Sequence, residues 1–426
     1  GDGGFTSPAP GDWATVYIYN SSATLANAHV RYGGNQSFTS AMIYAFANGA
    51  VTLQGGEASY SQTDAIIGDS FLSISGVAFT GNGGWAVNTD GNIPLLSGST
   101  ISSGAKGVRI SREQTVQFQG NSLQNLSVLA MELHAGVRLL GAQDTVVVPQ
   151  FSRPMRVEIP SGFVAESTEW TLADRMTYVV LSDVTFSAGA MLTVPPGAII
   201  KLSAASSTLF FQGGLTALGG PSTPIYLTSF KDDTVGGDTN GDGGASSPAP
   251  GDWTTAYVIN SSATLANVHF RYGGNQSFGQ AMLYAYSNSA VTFAGGEVSY
   301  SATDGILVDS SLLFISSAVI SSNRIGVDSF NSAQASLHGC LISGNSSFGV
   351  QNNNPSSILQ AQFNWWGSST GPTNSSNPGG AGDAVSDFVD FIPFLQSPVQ
   401  AAPPLVVSAD LLDPSPTASK PVRVRV

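Results

Sequence analysis

VSYSATDGI (298–306), ISSNRIGV (320–327), ISGNSSFGV (342–350) and FNWWG (363–367) are four versions of one phrase. Each opens on an apolar residue, Val298, Ile320, Ile342 or Phe363, and each follows the last by about 22 residues. Ala58, Phe79 and Ile101 keep that spacing in the N-terminal half. A period of this length is one coil of a parallel β-solenoid, whose apolar face is buried only when coils stack. Asn323 and Asn345 recur one coil apart, as do Gly326 and Gly349. Stacked Asn at a turn can bond its amide to the next coil, and Gly permits the bend. Between these anchors the pattern is short apolar alternation broken by Gly, Asn and Ser. Helical periodicity is nearly absent, and only Val128–Leu140 is ambiguous.

A second, larger period encloses the first. Residues 1–70 and 241–310 align without a gap and match at about 50 of 70 positions. GDGGFTSPAPGDWATVYIYNSSATLANAHVRYGGNQSF becomes GDGGASSPAPGDWTTAYVINSSATLANVHFRYGGNQSF. What is shared is turn formers, small polar residues and apolar residues of buried type. These are the residues that a scaffold needs.

The chain of 426 residues is long enough for a large core in one elongated domain. Only 10% of it is charged, and it contains 49 Gly. Like charges stacked at strand spacing repel, whereas Thr, Ser and Asn ladders bond, so this composition suits strands in register. The net charge of −13 argues against a nucleic-acid partner, which needs a basic footprint. The single cysteine, Cys340, excludes an internal disulfide and is expected to be an inert core thiol. No apolar run approaches the roughly 20 residues of a membrane span. No secretion signal precedes Gly1, so a mature chain or a fragment is expected.

The phrases LTVPPGAIIKL (192–202), LTALGGPSTPIYLTSFKDD (215–233), GGDTNGDGG (236–244), APGDW (249–253) and NWWGSSTGP (364–372) resemble a known group. The group is the right-handed parallel β-helix proteins of the pectin-lyase-like class. The likeness is closer to the β-helix repeats of large bacterial surface proteins. The resemblance implies an all-β, right-handed parallel β-helix, internally duplicated. It says little about activity, because the fold hosts lyases, hydrolases, adhesins and inert fibres. The expected units are a first copy over 1–155, a second unit over 156–400 with an opening segment and a closing coil, and a tail over 401–426. In the closing coil, Trp365, Trp366, Phe388, Phe391 and Phe394 are expected to cover the open end of the core. The tail resembles the first two strands of an immunoglobulin-like sandwich, which needs about seven. Two strands cannot bury their own apolar face. Val406, Val407, Leu411, Leu412, Val422 and Val424 are therefore candidates for self-association by strand donation to a neighbouring chain.

Candidate chemistry centres on Asp238-Thr-Asn240-Gly-Asp242-Gly243. It matches the first half of a calcium loop, in which alternate oxygen ligands wrap a hard cation and Gly makes the sharp turn. Asp232 and Asp233 could add ligands. The twelfth loop position is Ala249 rather than Glu, so this is no helix-loop-helix site. A calcium site and a metal-free cluster of Asx turns both remain open. The first copy keeps only Asp2 of this set.

Paired carboxylates offer an enzymatic route. Asp64 and Asp69 recur as Asp304 and Asp309, and Glu57 recurs as Glu297; acid pairs on a solenoid face could cleave a glycosidic bond. Asn88-Thr89-Asp90 echoes β-helix polygalacturonases, but their paired aspartates, Gly-His-Gly and Arg-x-Lys do not follow. Lyases of this fold usually need a basic residue with calcium-binding acids, and only four lysines and eleven arginines are present. The recurring Arg31 and Arg271 are equally explained by surface Arg–Asp pairs. The recurring tyrosines fit solenoid packing better than a sugar-stacking face, and Trp13 and Trp253 fit turn anchors. The expected role is a non-catalytic structural or adhesive protein of the bacterial cell surface. Its partner would be a further copy of itself. The alternative is a carbohydrate-active enzyme or polysaccharide-binding module.

Overall fold

The computed structural model describes residues 6–37, 40–149, 154–172, 175–277 and 280–398. The candidate self-association residues Val406, Val407, Leu411, Leu412, Val422 and Val424 lie outside them. Within them the chain is an all-β parallel solenoid of about 15 turns. One 3-10 turn, Ala142–Asp144, is the only helical element among the described residues. None of their helices is long and apolar enough to cross a membrane. The ambiguous stretch resolves into strands Leu129–Leu133 and Arg138–Leu140, which pair with Lys106–Ile110 and Thr115–Gln117 of the previous coil.

The 22-residue spacing becomes vertical registry. Phe79 pairs with Ile101 and Ile101 with Leu123; Val298 pairs with Ile320 and Ile320 with Ile342. Successive residues of a strand point to opposite faces, so these columns stay inside and build one core from Ile18 to Phe391. The fourth phrase departs from the spacing. Leu341 bridges to Trp365, whose carbonyl takes the Ile342 N–H at 2.8 Å, so that the buried Trp366 follows Ile342. Phe363 stands instead at a corner, with φ 58° and 46% of its surface exposed. The closing coil has left the regular path there to cross the end of the core. Trp366 and Phe391 are buried against that end and Phe394 packs on it, whereas Phe388 is 49% exposed.

Corners repeat as strictly as strands. Asn27, Gly55, Gly76, Gly98 and Gly120 form one column with φ of 50–68°. Only Gly and, less readily, Asn take the left-handed region at low cost. A second column begins with Tyr32 and Tyr60, at φ 64° and 60°. Their rings stack at 5.3 Å, as those of Tyr272 and Tyr300 do at 5.1 Å. That stacking offsets part of the roughly 1–2 kcal/mol that the conformation costs each residue.

The two copies do not sit on equivalent faces. In the first, Val16–Tyr19 belongs to a 14-stranded sheet, while Ser22–Ala26 and His29–Arg31 belong to two 6-stranded sheets. In the second, Ala256–Ile259 and Ser262–Ala266 belong to sheets of 8 and 9 strands, and it is Val268–Arg271 that joins the long sheet. The copies are thus out of phase by one strand of a three-strand coil. The change occurs over the opening segment, where the long sheet runs on through Met131 and Val157. Trp170 wedges in there, donating Nε1–H to the Ala135 carbonyl at 3.0 Å and stacking on Tyr178 at 5.1 Å.

Between coils, buried Asn amides act as braces. Asn323 accepts the Ser301 N–H at 3.0 Å and donates to the Val298 carbonyl and to Asn345 Oδ1, each at 3.0 Å. Asn82, Asn121 and Asn364 make equivalent bridges. Asn323→Ala strands a buried donor, the Ser301 N–H, and a buried acceptor, the Val298 carbonyl, and is expected to lower unfolding free energy by about 2 kcal/mol or more. Gln119→Ala, at an exposed position, should change it by less than about 0.5 kcal/mol. Urea denaturation of the two variants measures the difference, and equal midpoints would remove the brace from this account.

Candidate functional site

Strand Ile225–Ser229 lies on Ile199–Leu202, with Lys201 opposite Thr228. Both side chains point away from the core, where solvent would normally meet them. Both are nevertheless fully buried, because the chain leaves the long sheet after Ser229 and folds over this outer face before the next strand begins at Ala256 in the 8-stranded sheet. Lys201 holds the excursion in place. Its Nζ donates to the Gly237 carbonyl at 3.0 Å and to Thr239 Oγ1 at 2.9 Å. Burial pushes this amine down, and Asp232, Asp233 and Asp238 push it back up.

The excursion carries the acidic motif. One carboxylate oxygen from each of Asp233, Asp238 and Asp242 lies within 4.8 Å of the others. Asp238 accepts the N–H groups of Gly241, Asp242 and Gly243 at 2.7–3.0 Å. Asp242 accepts those of Gly244, Ala245 and Ser246 at 2.8–3.0 Å. The Ser246 hydroxyl and these amides hold Asp242 below the usual carboxylate range. Asp233 is different. Its Oδ1 is buried without a hydrogen-bond partner, and burial, then the charge of Asp238, raises its carboxyl.

The other two candidates are placed apart. Asp232 is fully buried and turned away, accepting from Thr228 at 2.7 Å and from Thr234. Asn240 directs its amide N–H to Asp242 Oδ2 and Ser246 Oγ, each at 3.0 Å. Asp233, Asp238 and Asp242 are therefore the oxygens that could hold a hard divalent cation. The motif made Asp238 and Asp242 legible in the sequence. Lys201, which anchors the loop from 36 residues earlier, left no local signal.

The repeated acids are occupied between coils. Asp64 accepts the Trp85 N–H and the Asn88 amide, each at 2.7 Å. Asp69 accepts the Tyr44 hydroxyl at 3.1 Å, and Asp309 accepts the Asn331 amide at 2.6 Å. The RYGG arginines pair with glutamates rather than aspartates: Arg31 with Glu57 and Arg271 with Glu297. Desolvation opposes ionisation of Glu297, but hydrogen bonds from His269, Ser299 and Arg271 outweigh it and hold the carboxyl down to about 2.

Asp304 breaks the pattern of its counterpart Asp64. Where the first copy has Asn88, the second has Asp328, so an amide–carboxylate contact becomes a contact between two carboxyls. Both are buried, at 2% and 3% exposure, and Arg324 faces Asp304 at 2.5 Å. Desolvation raises both, to about 6 and about 7, and they titrate as a pair. Asp328 lies beyond the aligned copies, which end at residues 70 and 310, and it is the pairing of Ile325–Phe330 on Asp304–Asp309 that brings it to Asp304.

Trp13 and Trp253 anchor turns as expected, donating Nε1–H to the carbonyls of Arg31 and Arg271 at 2.8 and 2.7 Å. Cys340 is fully buried, and burial pushes its thiol up to about 11. The tyrosines form columns along the outer faces: Tyr17 lies 6.0 Å from Tyr44, and Tyr257 lies 5.3 Å from Tyr284. No protein-family model, curated protein or solved structure matches the chain.

The Asp304–Asp328 pair makes stability depend on pH. Both carboxyls are raised above the ordinary 3.8, so the folded chain keeps protons that the unfolded chain releases. Their contribution is complete below about pH 4 and is lost as pH rises through about 6 to 7. Asp328→Asn restores the amide of the first copy. Its melting temperature should exceed that of the parent above about pH 7, and the gap should close towards about pH 4. Parallel melting curves across that range would contradict the assignment.

Proposed function

We propose that this chain is a non-catalytic structural and adhesive protein of the bacterial cell surface. In this reading the solenoid is a β-helix of the pectin-lyase-like type. It acts outside the cell and self-associates, and residues 401–426 begin an immunoglobulin-like sandwich. The observation that carries the reading is the use of the acids. Glu57, Asp64, Asp69, Glu297, Asp304 and Asp309 each bond to a neighbouring coil or turn, and the Asp304–Asp328 carboxyl pair is buried beyond the reach of a polysaccharide. A glycosidase needs two carboxyls that converge on a bound sugar. A polysaccharide-binding role is favoured by one feature, the aromatic group of Tyr17, Tyr19, Tyr44 and Phe46. Two of its members, Tyr17 and Tyr19, are 55% and 62% exposed.

Calcium belongs to the same reading, as the counter-ion of Asp233, Asp238 and Asp242. A cation there would give Asp233 Oδ1 a partner and relieve repulsion among the three carboxylates. Ions of this kind stabilise only the folded chain and shift melting by mass action. Adding millimolar calcium should raise the melting temperature by several degrees, chelation should reverse it, and Asp238→Asn should lose the response. A parent chain that melts identically in calcium and in chelator has no such site.

The role itself is tested with pectin, alginate and xylan. The expected result is no depolymerisation of any of them, with rods or filaments in negative-stain micrographs. Cleavage that is lost in Asp304→Asn would transfer the protein to the carbohydrate-active class.

A further inference from the structure

The duplication contains a comparison of one surface in two states. In the second copy, strand Ala256–Ile259 is covered by the strand before it: Leu209, Phe210 and Phe211 pair with Ala256, Tyr257 and Val258. Phe210 stacks on Tyr257 at 5.3 Å with the rings 3° from parallel. The cover extends around the whole coil. Ser261 donates to the Phe211 carbonyl at 2.6 Å, and Asn267 donates to the Gly219 carbonyl at 2.9 Å. Lys231 reaches Asp252 at 2.8 Å. Tyr226 stacks on His269 at 4.7 Å and takes the Arg271 guanidinium over its ring at 5.3 Å.

Every receiving residue in that set is present in the first copy, as Tyr17, Ser21, Asn27, Asp12, His29 and Arg31. Among the described residues, no strand pairs with the outer edge of Val16–Tyr19. The consequence is visible in exposure. The His29 and Arg31 side chains are 64% and 46% exposed, against 21% and 22% for His269 and Arg271. Trp253 is fully buried, and Trp13 is only partly so. An edge with free main-chain groups and an exposed aromatic row is normally covered, because it templates strand pairing.

We propose that the leading edge of the first copy is a docking face for one further β-coil with the chemistry of residues 203–231. Such a coil places an aromatic ring on Tyr17, a second between His29 and Arg31, and a lysine on Asp12. The specificity comes from six contacts spread over all three faces, which a single donated strand does not supply. This inference rests on the duplicated fold and is independent of the proposed role.

The test is a chain in which residues 154–240 are joined ahead of Gly1, which recreates the junction at residues 240 and 241. Hydrogen exchange is read on peptides covering 14–20 and 254–260. In the parent chain, 14–20 should exchange faster than 254–260. In the extended chain its exchange should slow by about tenfold or more, to the rate of its counterpart. Asp12→Asn should lower the melting temperature more in the extended chain than in the parent, because only there does a lysine meet it. Three results would each overturn the proposal. Protection of 14–20 in the dilute parent chain would mean that a segment of the same chain already covers the edge. Protection that grows with concentration would make a second copy the occupant. Unchanged exchange in the extended chain would mean that the edge does not accept such a coil.

Discussion

A residue in the interior of these sheets has neighbours one strand spacing above and below it, at about 4.8 Å, and they come from the same place in adjacent coils. This in-register parallel stacking is the constraint from which the rest follows. An apolar column gains by burial at every step, and an amide column bonds along the axis, but a column of one charge would repel at every step. The chain therefore carries few charges, and those it places on the stack are met by an opposite charge, as in Arg271–Glu297 and Arg109–Glu132, or by a neutral donor, as in Asp64–Asn88, with Asp304–Asp328 the exception. Corners obey the same rule: a left-handed residue in one coil needs another beneath it, hence the column from Asn27 to Gly120.

Charge density is instead exported from the stack. The acidic motif sits on an excursion where no copy of it lies a strand spacing away, so its carboxylates are free to converge. Convergence has its own electrostatic cost. Asp238 and Asp242 offset theirs with backbone N–H groups, and Asp232 with two threonines. Asp233 keeps a buried oxygen without a partner. The excursion in turn hides Lys201, a residue that the alternation of the strand had pointed towards water.

Near-identical sequences end in different environments here. Glu57 and Glu297 both pair with the His and Arg of the preceding coil, yet the arginine of one pair is 46% exposed and that of the other 22%. Asp64 faces an amide, whereas Asp304 faces a second carboxyl. Duplication preserved contacts between coils that both copies contain, such as Arg31–Glu57 and Arg271–Glu297, while contacts with coils outside the repeat followed whatever lay above and below.

The fold was legible because its key contacts recur at one spacing: a residue and its neighbour 22 positions on share a column, so Val298, Ile320 and Ile342 announce their own pairing. The Asn braces and the acidic motif could be read for the same reason, being local or periodic. Whatever interrupts the period could not. The displacement of Phe363 from its column, the one-strand phase shift between the copies, the inward turn of Asp232, the anchoring of the loop by Lys201 and the Asp304–Asp328 pair all depend on where the chain resumes after an irregular stretch. Periodic pairing is a property of the sequence itself, since each coil specifies its neighbour. The path across a break is set by which buried groups must find partners, and that is decided only when the coils on both sides are in place.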